Sequence, residues 1–445
     1  MYTAYNGVFF LFLNPESFKY LQGLFKSVED QDVTVAFYGP YPFLLASTPQ
    51  VVETILGDTK NVDKAFFYDM MKPWVGGGIL TLGGEPWRNR RKAITPAFHF
   101  RILDDYVPIM NKRGERLMKK VASMNGEFFN VLPISRAATL GVLFETSMGI
   151  DYDEDEIERV GYLHIHDAIS DSVVNRVANF HHWFDSLYAF SSEYKEMRGT
   201  WKKRGRLSIL KQSKKRSMCR STSFPRFSVQ FLLNSAYIPG LDVYHCHAQG
   251  FDTTATNIAH TLYLLGHHPE IQAKVHDEID LVCGDDWDKP LTAEDLKNLT
   301  YMECVLKESM RLYPPAPVIG RTVTRDIQIG KYTIPRGTMA IVALYFLQRH
   351  PRFFENPDAF IPERFLETKK MPTYAFTPFS AGPRNCLGQK FSMREAKILM
   401  THVLRRFEVT SKIPMEELVM TIELILKPIQ GLEIKLIPRK HPSAS

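Results

Sequence analysis

The patterned part of the chain opens on short β-type runs. Val33 to Phe37 is β-branched and aromatic, Gly39-Pro40-Tyr41-Pro42 reads as a turn, and Phe43 to Ala46 is apolar. Thr48-Pro49 then opens a helix, with proline at the first position, where its missing N–H costs nothing; this helix closes the 33–56 unit. From about 85 to 350 the pattern predicts mostly helix. The stretch 268–282 begins His-Pro-Glu and carries Ile271, Val275, Ile279 and Val282 three or four apart, which is one helical face. Thr292-Ala-Glu-Asp-Leu reads as another capped start. Across 323–345 the period changes: Ile327, Ile329, Tyr332 and Ile334 predict short strands with turns at Gly330 and Pro335-Arg336-Gly337. The tail, 406–438, again predicts strands, with Pro-Ile-Gln-Gly as a turn. The fold class expected is mainly α with small β-sheets at both ends, and no internal repeat.

Length and composition narrow this further. A chain of 445 residues exceeds the common domain size of roughly 100–150 residues, so it holds either several domains or one large domain closed around a buried cofactor. Hydrophobic residues make up 44%, enough for a large core. The five cysteines, Cys219, Cys246, Cys283, Cys304 and Cys386, are widely spaced and form no CxxC pair, which argues against a zinc ribbon or a dithiol redox site. A cytosol-facing chain fits this usage better than a secreted one. The net charge of +6 permits an anionic membrane surface or an acidic protein partner. No stretch of about 20 apolar residues is present, and Gly7 to Leu13 is too short to span a bilayer. The basic run within 202–226 reads as a solvated segment; no nucleic-acid module surrounds it, so nucleic acid is not expected as a partner.

The sharpest chemical signal is Phe379-Ser380-Ala381-Gly382-Pro383-Arg384-Asn385-Cys386-Leu387-Gly388, followed by a helical segment with Phe391, Ile398, Leu399 and Val403 at helical spacing. A cysteine ending a glycine-containing loop at a helix start meets backbone N–H groups and a helix dipole, which favour thiolate over thiol. The glycines allow the backbone to approach something flat and large.

This run resembles the haem-thiolate loop of the cytochromes P450, Phe-x-x-Gly-x-Arg-x-Cys-x-Gly, with every fixed position matched, and the resemblance extends over roughly residues 33–440. It implies the cytochrome P450 fold as a single domain, 1–445, with the family's N-terminal membrane anchor absent. It also implies a haem b whose iron is held by the Cys386 thiolate, with Phe379 and Gly388 framing the ligand loop. Glu308-Ser-Met-Arg311 and Pro362-Glu363-Arg364-Phe365 match two further landmarks; the implied network Glu308–Arg311–Arg364 holds the fold beneath the haem. Trp87-Arg88-Asn89-Arg90-Arg91 matches a third, in which the Trp87 and Arg91 side chains, one helical turn apart, meet the same haem propionate. Arg321 and Arg384 are implied as further propionate partners, three arginines facing two carboxylates. Gly250-Phe251-Asp252-Thr253-Thr254 matches the distal helix. There Gly250 is expected to leave room for O2, the Thr253 hydroxyl to steady the activated oxygen and its water, and the Asp252 carboxylate to link to bulk proton donors.

Within the family, Phe66-Phe67-Tyr68-Asp69 through Lys72-Pro73-Trp74, Gly76 to Leu80, and Thr95 to Leu103 resemble the microsomal fatty-acid ω-hydroxylase-like group, the fourth family. The implied reaction is insertion of one oxygen atom of O2 into a fatty acid or similar lipid. The implied electron source is NADPH–cytochrome P450 reductase, because the chain holds no dinucleotide-binding Gly-x-Gly-x-x-Gly after a strand. Cytochrome b5 is a second implied electron partner. The location implied is the cytosolic face of the endoplasmic reticulum, reached here by peripheral membrane contact.

Three features depart from the group. Gln249 stands where many members carry the glutamate that esterifies a haem methyl, so the haem is expected to be held without an ester. The run Tyr237 to Gln249 contains the helix breaker Pro239-Gly240 and the triplet His245-Cys246-His247 in place of apolar helical turns. A zinc site is disfavoured there because three adjacent residues cannot converge easily on one ion, and a locally divergent or misassembled segment is the reading preferred. The third is the anchor already noted. Two alternatives stay beside the monooxygenase: a peroxide-using isomerase, against which the retained Thr253 argues, and a haem-binding protein without turnover, which the irregular run before Gln249 keeps open.

Overall fold

The computed structural model describes residues 15–38, 41–149, 151–152, 161–197, 199, 241–366 and 371–440. Helix α1 (Pro15–Ser27) leads into β1 (Val33–Tyr38) and β2 (Tyr41–Ala46), which pair antiparallel with Val33 opposite Ala46. In α2 (Pro49–Leu56), Thr48 is extended and Pro49 takes the first turn, as the pattern predicts; Val51, Val52, Ile55 and Leu56 are buried. Helices α3 (Gly84–Ile94), α4 (Val107–Ala122), α5 (Val131–Met148) and α6 (Tyr162–Ala178) follow, with the two-residue strand β3 (Phe129–Asn130) before α5. Asn130 caps α5 by accepting from Leu132 N at 3.2 Å, and Gly149 ends it in the left-handed conformation.

The long helix α7 (Leu241–His267) runs through the centre, and α8 (Pro269–Cys283) and α9 (Thr300–Leu312) pack beside it. The described part of α7 begins at Leu241, next to Pro239-Gly240, and its backbone is helical across Leu241–Gln249, where the sequence suggested irregularity. The side chains of His245, Cys246, His247 and Gln249 lie outside the described residues, as do Gly7 to Leu13 and the basic run 202–226.

Strands begin earlier than the pattern suggested. Pro314, Pro315 and Pro317 stop α9, because proline lacks the N–H that a helix needs and restricts the residue before it. Strand β4 (Val318–Thr322) therefore precedes β5 (Ile327–Ile329), β6 (Tyr332–Ile334) and β7 (Met339–Ala343). Thr292 and Asp295 do exchange reciprocal capping bonds at 2.8 and 3.2 Å, but the helix they open is one turn, Asp295–Asn298. Helix α10 (Gln389–Leu404) then leads into β8 (Phe407–Ser411), β9 (Met420–Ile422), β10 (Leu426–Pro428) and β11 (Glu433–Pro438), the strands predicted for the tail.

The largest sheet has the order β1-β2-β7-β4, with β2 and β7 parallel and the other pairs antiparallel. Smaller sheets pair β5 with β6, β9 with β10, and β3 with β11 and β8. One core fills the space between α4, α5, α7, α9 and α10; a second lies between α2 and the large sheet. The site forms where α7, α3, β4 and the segment before α10 approach one another.

Candidate active site

The loop before α10 is closed by its own backbone: Cys386 N donates to Phe379 O at 2.7 Å. Gly382 makes that loop feasible. Its φ is +67°, and a Cβ there would run into the Leu56 carbonyl oxygen of α2, so only glycine fits. Cys386 lies just before α10, and the Gly388 backbone N–H hydrogen-bonds it. Its surface is accessible, yet protein surrounds the sulfur closely enough that burial pushes the thiol up; the Gly388 N–H and the Arg91 charge pull the other way and do not win. The Gly388 N–H and the Arg91 charge are the pull toward thiolate that the chain itself supplies; a cation bonded to the sulfur completes it, since a coordinated thiol loses its proton outright.

Beside this loop the structure gathers positive charge. Arg321, on β4, is buried, with Nη1 donating to Gly320 O at 3.0 Å and Nη2 to Ser380 Oγ at 3.4 Å. Arg384 donates to the carbonyls of Leu82 at 2.8 Å and Leu80 at 3.2 Å, and its guanidinium lies 4.5 Å from the Trp87 ring centroid. Burial first, then the charge of Arg321, pulls Arg384 down to about 9; at neutral pH both guanidinium groups still hold their protons. Among the described residues neither forms an ion pair with a carboxylate. Two buried cations in such surroundings fit a bound dianion, and a haem supplies two propionates.

Trp87 and Arg91 engage different protein partners. Both lie on α3 one turn apart, but Arg91 turns to the cysteine loop, donating to Asn385 O at 2.8 Å and Asn385 Oδ1 at 2.7 Å. Trp87 stacks under Arg384 instead. Asn385 was not singled out from sequence, because it occupies a variable position of the loop motif.

On α7, Asp252 is buried and Thr253 faces a cavity lined largely by apolar side chains, among them Phe25, Phe67, Trp74, Val173 and Leu424. The Gly250 Cβ position points elsewhere: a methyl there would sit 3.3 Å from Leu143 of α5. The missing side chain thus lets α7 and α5 pack closely at this point. Thr254 bonds Gly250 O at 3.2 Å and Ser392 Oγ at 2.9 Å, tying α7 to α10.

Asp252 does not open directly to solvent. Its Oδ1 lies 2.8 Å from Arg136 Nε of α5, a pair close enough for strong attraction although neither atom makes an aligned hydrogen bond. Its Oδ2 is 3.8 Å from His166 Nδ1 of α6. Arg136 also binds Asp167 at 2.6 Å, and Lys427 lies 3.6 Å from Asp167 and 2.8 Å from Glu423. Burial pushes Asp167 up, but the bonds to His166 and Arg136 hold it well below the usual carboxylate range. Asp167 is 35% exposed, so this chain of charges reaches water where Asp252 itself does not. Nothing in the local sequence around Arg136 or Asp167 signals this, since the partners come from three separate helices.

Beneath the loop, Glu308 and Arg311 of α9 form a fully buried pair with two 2.8 Å bonds. Arg311 also donates to Gln348 O at 2.9 Å, Pro357 O at 2.6 Å and Ala359 O at 2.9 Å. Glu308 accepts from Ile361 N at 2.9 Å and from Arg364 Nε at 3.3 Å. The three residues grouped from sequence do meet, and the pair arranges the backbone of 348–361.

Comparison with known proteins agrees with this geometry. The family model described as Cytochrome P450 matches residues 6–436. Cytochrome P450 4V2 of Homo sapiens is 34% identical over 461 residues, covering 96% of this chain and 86% of the relative. Cytochrome P450 4c3 of Drosophila melanogaster is 35% identical over 433 residues, with 90% and 81% covered. Cytochrome P450 4c21 of Blattella germanica is 31% identical over 434 residues, with 89% and 84% covered.

Proposed function

We propose that this chain, which belongs to the cytochrome P450 family and is a haem-thiolate monooxygenase, oxidises fatty acids or similar long apolar lipids. The observation that carries the substrate reading is the cavity beside Thr253. Its walls are aromatic and aliphatic from Phe25 to Leu424, which suits an acyl chain or another extended apolar body. When bound, the haem activates O2 so that one oxygen atom can enter a C–H bond, with the thiolate supplying electron density.

The residues of the chain take the following parts in this reading. Cys386 supplies the thiolate. Arg321 and Arg384 neutralise the propionates, with Trp87 supporting Arg384 and Arg91 fastening the cysteine loop through Asn385. The Thr253 hydroxyl holds a proton at the cavity. Asp252 relays protons to it, and Arg136 and Asp167 carry the connection outward to water. The apolar walls keep bulk water from the reacting carbon.

Electrons come from NADPH–cytochrome P450 reductase, with cytochrome b5 as a second donor, at the cytosolic face of the endoplasmic reticulum. Among the described residues no helix is long and apolar enough to cross a membrane. Membrane-associated protein is expected after fractionation at low salt. Gln249 leaves the haem without an ester to the chain, so acid–organic extraction is expected to release it free; haem retained on the polypeptide would refute this.

Two measurements test the reading. Reduction under carbon monoxide is expected to give the strongly red-shifted Soret band of a thiolate adduct, and Cys386→Ser to lose it. Reductase-dependent consumption of NADPH is expected with fatty acids. Its absence across a panel of chain lengths, with the carbon monoxide band intact, would overturn the substrate class alone.

A further inference from the structure

The cavity beside Thr253 is apolar over most of its wall, yet the wall is not uniformly so. Besides Asp252 Oδ1, two buried polar atoms among its described residues make no hydrogen bond: Ser170 Oγ and Glu423 Oε2. A polar atom buried without a partner costs about 1–3 kcal/mol, so each such atom calls for an explanation. Ser170 is 3% exposed and belongs to α6. It lines the cavity with His166, Val173 and Val177, which share one face of that helix at helical spacing.

Glu423 lies in the turn between β9 and β10, and this turn sits against the same part of α6. Leu424 packs on the cluster that contains Ile169 and Val173, and Lys427 Nζ is 3.6 Å from Asp167. Burial, then the charge of Glu423, pushes the acid of Asp171 up, the residue next to Ser170. Lys427 Nζ lies 2.8 Å from Glu423 Oε2 without an aligned hydrogen bond, and a carboxylate oxygen can accept from more than one donor. The wall therefore offers a carboxylate acceptor and a hydroxyl that either donates or accepts. A plain methylene chain would leave both unpaired. A second carboxylate would meet the charges of Glu423, Asp252 and Asp167, which outnumber those of Arg136 and Lys427. A hydroxyl on the ligand complements both groups.

We propose that Ser170 and Glu423 form a polar subsite for a hydroxyl group carried along the chain of a lipid substrate. The inference rests on the lipid reading given above and narrows it to hydroxylated long-chain lipids. Pairing the hydroxyl with these two residues fixes which stretch of the chain lies beside Thr253, since all three line one cavity.

The test reads the Soret shift on ligand binding in the haem-loaded full chain. The probes are palmitic acid and a series of hydroxypalmitic acids with the hydroxyl at successive carbons. At least one isomer is expected to bind about tenfold more tightly than palmitic acid, the size of one hydrogen bond to a charged group. Ser170→Ala and Glu423→Gln are each expected to remove most of that preference, while palmitic acid binds Ser170→Ala as it binds the parent. Equal binding of palmitic acid and every isomer by the parent would overturn the proposal. So would a preference that survives both substitutions. Weaker binding of all ligands alike in Ser170→Ala, with the preference kept, would also overturn it and leave Ser170 a packing residue. The carbon monoxide band is expected to be intact in both variants. A parent that shows this band but binds none of the acids would overturn the lipid reading itself, and the subsite with it.

Discussion

Gly382 and Asp252 show how much depends on single positions. Gly382→Ala asks a Cβ to occupy the place of the Leu56 carbonyl at a left-handed φ, and α2 cannot yield without disturbing the large sheet. The variant is expected to accumulate with little bound haem, read as the ratio of Soret to protein absorbance; a parent-like ratio would contradict the packing described. Asp252→Asn keeps the shape of the acid and removes its charge, while Arg136 keeps Asp167. Turnover is expected to fall on the order of 100-fold, with more of the consumed O2 released as hydrogen peroxide and the carbon monoxide band unchanged. Unchanged turnover and coupling would remove Asp252 from the proton path. The acid–alcohol pair was legible from its local motif. Its partners were not, because Arg136 and His166 reach Asp252 only through the packing of α5 and α6 against α7.

Among the elements, α9 shows the clearest division of labour. Glu-x-x-Arg spacing places Glu308 and Arg311 on one helix face, which sequence alone conveys. The structure adds that Arg311 spends its remaining donors on three backbone carbonyls, at Gln348, Pro357 and Ala359. A lysine has a compact ammonium and cannot reproduce that fork. Arg311→Lys is therefore expected to lower stability by about 3–5 kcal/mol, as for a broken buried ion pair, seen as haem release at lower denaturant. Arg364→Lys is expected to cost far less, since its bond to Glu308 is 3.3 Å long and it is the more exposed partner. Equal effects of the two substitutions would show that the network is not organised around Arg311. Helix α7 teaches a related lesson. Gly250 matches a distal-site motif, and its missing side chain also permits the close approach of α5 through Leu143.

Across the whole molecule, buried histidines set a pH limit. Burial lowers His260 and His276 to about 4, with further lowering of His276 by Arg439, and burial with Arg405 and Arg406 lowers His402 to about 3. Unfolded histidine titrates near 6.5, so between about pH 6.5 and 4 the unfolded chain binds protons that the folded chain refuses. Stability is thus present above pH 6.5 and is lost as pH falls through that window, by up to an order of 3 kcal/mol for each histidine. The midpoint of thermal unfolding is expected to drop between pH 7 and 5, and His402→Phe to flatten the drop. A flat profile over that range would exclude these groups as the cause.

The sequence by itself determined the chemistry that resides in contiguous motifs. The cysteine loop, the Glu-x-x-Arg turn and the acid–alcohol pair each lie within one loop or one helix, so spacing alone brings their members together. It also conveyed the strands at both ends of the chain, because their alternation is local, though prolines moved the start of β4. Tertiary structure decided what surrounds those motifs. It turned Arg91 toward Asn385, gave Asp252 its ionic partners, and set Lys64 opposite Arg321. Charge and burial depend on residues far apart in the chain that packing makes neighbours, and no local pattern records which neighbours those will be.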